Sequence, residues 1–388
     1  MFRHTPAMRR HPFRALVLLA PLPLALACAG DAGPVGPPPP PGALVFATLG
    51  AGYAHTCGLS RGGSAWCWGG NAAGSLGDGT RTRRTRPTAV QGGHVFVALD
   101  VGAAHACALG PSGAAWCWGH NDEGQLGDGT HVARERPVAS GGSLAFASIS
   151  AGHAHSCGIT VQGVAYCWGD DTQGQLGDGG PGGATRSAVP VRVLTGETFT
   201  RIVAGYYQTC ALTGAGAAWC WGLGSSGQNG DGTGESRHEP AAVAGGHAFS
   251  EVAAGDRFVC AREGSATWCW GALPGTTVPV AMAAFPALHD LDAARGASTI
   301  PGAAAYACGL RGERAWCWGG AVPPLRAAGE ALLEPAIAAL SVAAGARHAC
   351  VLSRAGHAYC GGANYEGQLG DDTTTDRAAL VPVAAPGP

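Results

Sequence analysis

The chain has 388 residues, more than a single hydrophobic core usually serves, so two or more domains or a repeat array are the alternatives that length leaves open. Its 24 basic and 26 acidic residues nearly cancel, only 13% of it is charged, and the basic residues, all Arg, form no stripe of the kind that tracks nucleic acid. The 65 Gly lack collagen's three-residue period, which points to many tight turns between short strands.

Read in chain order, Arg3, Arg9, Arg10 and Arg14 precede an apolar run, Ala15 to Leu26, that is too short to span a bilayer and reads as an export signal. The next residues, Ala25-Leu26-Ala27-Cys28, resemble the lipobox of bacterial lipoproteins, in which the signal is cut before a Cys that carries lipid. Ala25 stands where that motif more often has Leu, and Ala27-Cys28-Ala29 also fits ordinary signal cleavage with release of the protein. Parity favours lipidation at Cys28, because fourteen of the 15 Cys pair off and Cys28 is left over. The expected divisions are a signal over residues 1–27, a lipidated Cys and Pro-rich tether over 28–42, and one folded domain over 43–388.

That domain contains seven segments, each passing through a small-residue-Gly step, a first Cys, a turn, and a return close to Trp-Cys-Trp-Gly. The Cys pairs are Cys57 and Cys67, Cys107 and Cys117, Cys157 and Cys167, Cys210 and Cys220, Cys260 and Cys269, Cys308 and Cys317, and Cys350 and Cys360. First members lie 42 to 53 residues apart, the period of a propeller blade. In the first unit, residues 54–60 and 64–69 alternate as two strands around Arg61-Gly62-Gly63. A turn centred on Gly62 sets Cys57 opposite Cys67, close enough for a disulfide. Units five and six have their Cys nine apart, and loss of one turn residue around Gly264-Ser265 and Gly312-Glu313 keeps the pairs opposed. The same register puts Trp66 on the other face, opposite Gly58, and the equivalent residues elsewhere are Ala108, Gly158, Ala211, Ala261, Gly309 and Val351. The expected fold is therefore all-β: a seven-bladed β-propeller of four-stranded antiparallel blades with one disulfide hairpin in each. The terminal segments, Leu44 to Leu49 and Leu380 to Val383, are expected to complete one blade together and so remove exposed sheet edges.

Ala51-Gly52, His55, Trp68-Gly69, Asn71 and Gly74-Ser75-Leu76-Gly77-Asp78-Gly79-Thr80 resemble the repeat of the regulator of chromosome condensation family. The pattern recurs through Gly124 to Thr130, Gly174 to Gly179, Gly230 to Thr233 and Gly367 to Asp371, and the resemblance implies the same seven-bladed fold. Units five and six depart from it, with Leu273-Pro274-Gly275 and Pro323-Pro324 in place of the loop, an insertion-like His289-Asp290-Leu291-Asp292, and Ala303 where other units have Gly. One rim should be irregular there. Nuclear members act on a small GTPase, a partner foreign to an exported chain, whereas exported relatives include an inhibitor that grips a β-lactamase.

No constellation announces chemistry. His55, His105, His155 and His348 sit two residues before a Cys, but each is on its own blade, and Gln208, Phe258 and Tyr306 fill the same place elsewhere, which marks a structural slot rather than zinc ligation. Asp78, Asp128, Asp178, Asp231 and Asp371 supply one carboxylate per loop, far from the 6 to 8 oxygens of a calcium site, and read as turn residues. No nucleophile elbow or zinc-protease helix occurs, and His289, Asp290 and Asp292 read as a polar surface loop. The group Arg81, Arg83, Arg84 and Arg86 reads as a solvated loop, and all 11 Trp as core. No catalytic residue, metal or cofactor is assigned. The chain is expected to be a monomeric envelope protein, lipid-anchored and without nucleic-acid contact, that offers propeller rim loops to a protein or glycan. The alternatives are an exported hydrolase or lyase and a purely structural component.

Overall fold

A computed structural model describes residues 37–180, 185–283, 288–295, 305–320, 331–333 and 336–387. The signal residues, Cys28, Ala303 and Pro323-Pro324 lie outside the described residues.

Seven four-stranded antiparallel sheets follow one another along the chain, over residues 46–89, 98–140, 146–192, 199–242, 251–281, 289–332 and 339–382. Blade one shows the plan: Phe46–Ala51, His55–Ser60, Ala65–Gly69 and Arg84–Ala89, hydrogen-bonded in that order. In blade six the fourth strand shrinks to Ala331–Leu332. The hairpin register is the expected one in every blade. Cys57 faces Cys67 and Trp66 faces Gly58, and the seven disulfides span Cα separations of 4.0 to 4.1 Å, in keeping with the closer type of antiparallel pair. Blades five and six shorten the turn to two residues, Glu263 pairing with Ala266 and Arg311 with Arg314, so Cys260 still faces Cys269 and Cys308 faces Cys317.

The terminal segments do not share a blade. The first strand, Phe46–Ala51, pairs within blade one and the last, Arg377–Pro382, within blade seven. Closure needs no shared sheet because the seam between blades seven and one repeats the contacts of the other seams. On one face, here called the lower, hairpin turns accept a backbone bond from the start of the next blade: Phe96 N to Gly63 O, Phe146 N to Gly113 O and, at closure, Phe46 N to Gly356 O. On the upper face the small-residue-Gly loops form a second circle, with Ala103 N donating to Gly152 O, His153 N to Gly205 O and Ala346 N to Gly52 O. Sheet edges therefore persist. They carry Pro87, Pro137, Pro190, Pro240 and Pro279 in fourth strands, where a missing N–H loses no ladder bond.

Side chains stitch the same seams. The carbonyl of Gln125 in blade two accepts the Trp168 indole N–H (2.9 Å) and the Ser156 hydroxyl (2.9 Å), both from blade three. Gln175 O receives Trp221 and Thr209, and Gln368 O receives Trp68 and Thr56 across the closure. The indole lies so close to the preceding loop that a Cβ on Gly127 would meet it at 2.8 Å, and Gly127 also has φ +66°, so both space and backbone demand glycine. The hydroxyls in turn receive the slot histidines: His105 Nε2 to Ser156 (2.9 Å), His155 Nε2 to Thr209 (2.9 Å) and His348 Nε2 to Thr56 (2.8 Å).

Where the slot changes, its partner changes with it. Gln208 and Tyr306 reach backbone carbonyls of the next blade, beside apolar Val259 and Ala349, and apolar Phe258 has Ala307 as its counterpart. His55 breaks this matching. Its counterpart is Ala106, and His55 Nε2 is buried with no partner. An unmet buried donor costs on the order of 1 to 3 kcal/mol. Ala106→Ser should supply the hydroxyl and raise stability by about 1 kcal/mol in denaturant titration, with Ala106→Gly as the control that should not.

Candidate functional site: an upper-face cleft across blades two to four

The upper face is built from the loops joining first to second strands and from the longer loops joining third to fourth strands. In the regular long loops one network recurs. Asn71 Nδ2 donates to Asp78 and to the carbonyls of Thr80 and Thr82, its own Oδ1 accepts Leu76 N, and Arg84 pairs with Asp78 at 2.8 Å. Arg134 with Asp128, Arg237 with Asp231 and Arg377 with Asp371 repeat the pair. Hydrogen bonds from Thr and the adjacent guanidinium hold these four carboxylates below the usual range against the opposing effect of burial. These four aspartates are thus turn residues that carry their own cation. The Arg six residues downstream was the signal in the sequence that identifies it.

The rest of the Arg81 to Arg86 group is also paired. Arg81 meets Glu135 of blade two at 2.8 Å, Arg86 meets Asp372 of blade seven at 2.5 Å, and Arg83 lies 4.0 Å from Glu366. These exposed side chains lie in a solvated loop, as expected, and also bridge neighbouring blades.

His289, Asp290 and Asp292 are not a surface loop either. They belong to His289–Ala293, the first strand of blade six, in which Ala293 pairs with Ala307. The extra residues of this unit follow that strand, between Ala293 and Tyr306, and counting back from Cys308 runs through them. The Asp290 and Asp292 carboxylates accept Val342 N and Ala344 N of blade seven, and burial pushes Asp290 up to about 6. Arg295 reaches across to blades two and three, donating to Asp100, Val101 O and Ala151 O. First strands therefore line the axis, and Arg295 reaches across it.

His55, His105, His155 and His348 remain apart on four blades, each spent at a seam. Among the described residues no three His, Cys, Asp or Glu side chains gather in a metal-binding geometry.

The residues that do converge are ones the sequence reading passed over. A cleft of about 350 Å³ is lined by Ala103, His120, Glu123 and Gln125 from blade two, His153, Asp170 and Thr172 from blade three, and Tyr207 from blade four. His153 stacks near Tyr206 and Tyr207, at 4.1 and 5.7 Å between ring centres. Its Nδ1 is buried without a partner. Asp170 is buried and accepts Thr172 N, the Thr172 hydroxyl and Gln175 Nε2. Burial, reinforced by nearby Glu123, raises its carboxyl above the usual range.

The buried imidazoles make the fold acid-sensitive. Burial holds His55 and His153 down to about 4, His155 and His348 to about 3, and His105 well below its ordinary value. Below about pH 6.5 the unfolded chain takes up protons that the folded chain refuses, so stability falls as pH drops from 7 towards 4. Asp290, raised to about 6, and Asp170, Asp171 and Asp292, also raised by burial, act in the opposite sense because the folded state keeps their protons, but the five imidazoles are joined by the four lowered loop carboxylates, which lose stability as they protonate. The unfolding midpoint should fall monotonically over this range. His155→Gln, which copies the residue of blade four, should reduce the slope by up to about 1.4 kcal/mol per pH unit.

Comparison with known proteins agrees with this architecture. Two models described as the Regulator of chromosome condensation (RCC1) repeat match residues 112–159, 162–212 and 215–262, and residues 46–75, 96–125, 146–175, 199–228 and 340–368. Together they take in more than half of the chain. Human WBSCR16 is similar in structure with TM-score 0.73 at 17% identity, over 84% of this chain and 94% of that one. Yeast RCC1 (Prp20), solved bound to Kap60, gives 0.51 at 19% identity over 87% and 74%. The ectodomain of the Arabidopsis thaliana receptor kinase ACR4 gives 0.54 at 20% identity over 82% and 96%. No curated protein matches the sequence. By its repeats and its seven blades, this chain belongs to the regulator of chromosome condensation (RCC1) repeat family.

Proposed function

We propose that the protein is a non-enzymatic binding scaffold of the bacterial cell envelope, held there by lipid on Cys28 and engaging a partner protein through its upper face. The observation that carries this reading is the division of labour among loop residues. Positions that recur are consumed at seams and in turns, whereas the cleft collects positions at which the units differ, including His120, His153 and Tyr207. Rigid scaffolds bearing variable loops are a common basis for recognition. Yeast Prp20, which shares the fold, was solved in complex with a protein. Seven disulfides suit an oxidising, exported setting.

The chain enters the propeller from below. Pro37 O accepts the Tyr359 hydroxyl, and Phe46 starts at the lower circle.

An exported hydrolase or lyase using the same cleft is the competing reading, because His153, held neutral by burial, and Asp170 both line it. Against it, the Thr172 hydroxyl is donated to Asp170, and Asp170 is held by three neutral donors. The wild-type chain should pellet with membranes and carry acyl mass on Cys28, while Cys28→Ser should be soluble and recover a stoichiometric protein from envelope extract. An unmodified soluble wild type contradicts the anchor. Turnover of ester, glycoside or peptide substrates by the Cys28→Ser chain alone contradicts the scaffold.

A further inference from the structure

We infer that Arg295 is a latch across the axis: it ties blade six to the seam between blades two and three and holds, from the far side, two loops that line the upper-face cleft. This role stands whether or not the scaffold reading holds.

The seams described above join neighbouring blades, as the contacts of a repeat array do. Arg295 instead joins blades that lie opposite one another in the ring of seven. It stands just past the first strand of blade six, His289–Ala293. Its Nη1 donates to both Asp100 oxygens (3.2 and 3.3 Å) and Val101 O (3.2 Å) of blade two and to Ala151 O (2.7 Å) of blade three. Its Nη2 lies 3.9 Å from Asp292 of its own blade, and the side chain is only 13% exposed.

The residues it joins are ones that break the repeat. In each blade one residue of the first strand lies opposite the first Cys. It is Gly50, Ser150, Val203, Ala253 or Ala343 in five blades, and Asp only in blades two and six, as Asp100 and Asp292. Both carboxylates accept an N–H from the next first strand, Asp100 that of Ala151 (2.9 Å) and Asp292 that of Ala344 (2.8 Å). Both also face Arg295, so one cation sits between two equivalent acids. The carbonyls it takes are free for a reason of register. Cys107 meets Cys117 in the closer kind of pair, which turns its N–H and C=O towards Asp100 and leaves those of the next residue, Val101, directed at the axis; Ala151 repeats this in blade three. Val101 and Ala151 lead straight into Gly102-Ala103 and Gly152-His153, and Ala103 and His153 line the cleft. A buried ion pair adds little stability over an apolar contact but can fix register. Here it fixes the inner edges of blades two and three relative to blade six.

The test is amide hydrogen exchange, read residue by residue by NMR, on the disulfide-bonded Cys28→Ser chain. Ala103 N and His153 N bond to the next blade at Gly152 O and Gly205 O, and Tyr206 N makes the matching bond to Gly255 O from blade four, which the latch does not touch. In Arg295→Met the amides of Ala103 and His153 should exchange about ten-fold faster, while that of Tyr206 keeps its rate. The double variant Arg295→Met with Asp100→Asn, which removes the charge left behind on blade two, should show the same pattern and serves where the single variant does not fold. In the chain that keeps Arg295, its guanidinium protons should give resolved signals that exchange slowly. Unchanged protection at Ala103 and His153, an equal rise at Tyr206, or a freely rotating Arg295 guanidinium overturns the inference.

Discussion

One backbone oxygen in each regular long loop, exemplified by Gln125 O, joins a blade to the next. It accepts an indole N–H and a hydroxyl from the following blade, and that hydroxyl accepts the imidazole N–H of the blade that supplies the oxygen. Three polar groups that burial would otherwise penalise satisfy one another at a point where water is excluded. The small disulfide loops stiffen each hairpin, at roughly 3 kcal/mol each on a chain-entropy view, but they carry no information about which blade follows which. Order and closure come from the seams, and the last seam uses the same parts as the others.

Local pairing was legible in the sequence because it depends only on distance from a turn. The opposition of Cys57 to Cys67, and of Trp66 to Gly58, follows from one centre of symmetry, and the nine-residue spacing in units five and six tests it within the same chain. The seams were not legible, because a hydroxyl such as Ser156 and an imidazole such as His105 are 51 residues apart and neither alone reports a partner. Closure by a shared blade was inferred from the cost of free edges, yet the prolines of the fourth strands already protect those edges. In unit six, counting back from Cys308 assigned His289 to Asp292 to an insertion, when the insertion follows them and those residues form the axial strand. The cleft was invisible for a simpler reason: its walls come from three blades, and each contributing residue looks like an ordinary loop residue in its own unit.

The seams also explain where recognition is possible. The seam carbonyl, the positive-φ Gly and a slot residue matched to its counterpart hold the loops rigidly, so diversity accumulates at neighbouring positions. Blade three shows the result. Its loop keeps the Gln175 and Leu176 framework but has Asp171 where blade one has Asn71 and Ser187 where it has Arg84, while Arg186 pairs with Glu123 of blade two at the edge of the cleft. A fold made of repeated seams thereby supports a site that is not repeated.

The matching of slot and counterpart across a seam is the claim on which this account depends, and a double-mutant cycle measures it directly. His105→Phe and Ser156→Ala together recreate the apolar pair that Phe258 and Ala307 form between blades five and six. Each single change should destabilise the protein by leaving a polar group unmet, and the double variant should be more stable than the sum of the singles by about 1 to 2 kcal/mol. Strict additivity of the two substitutions would contradict it.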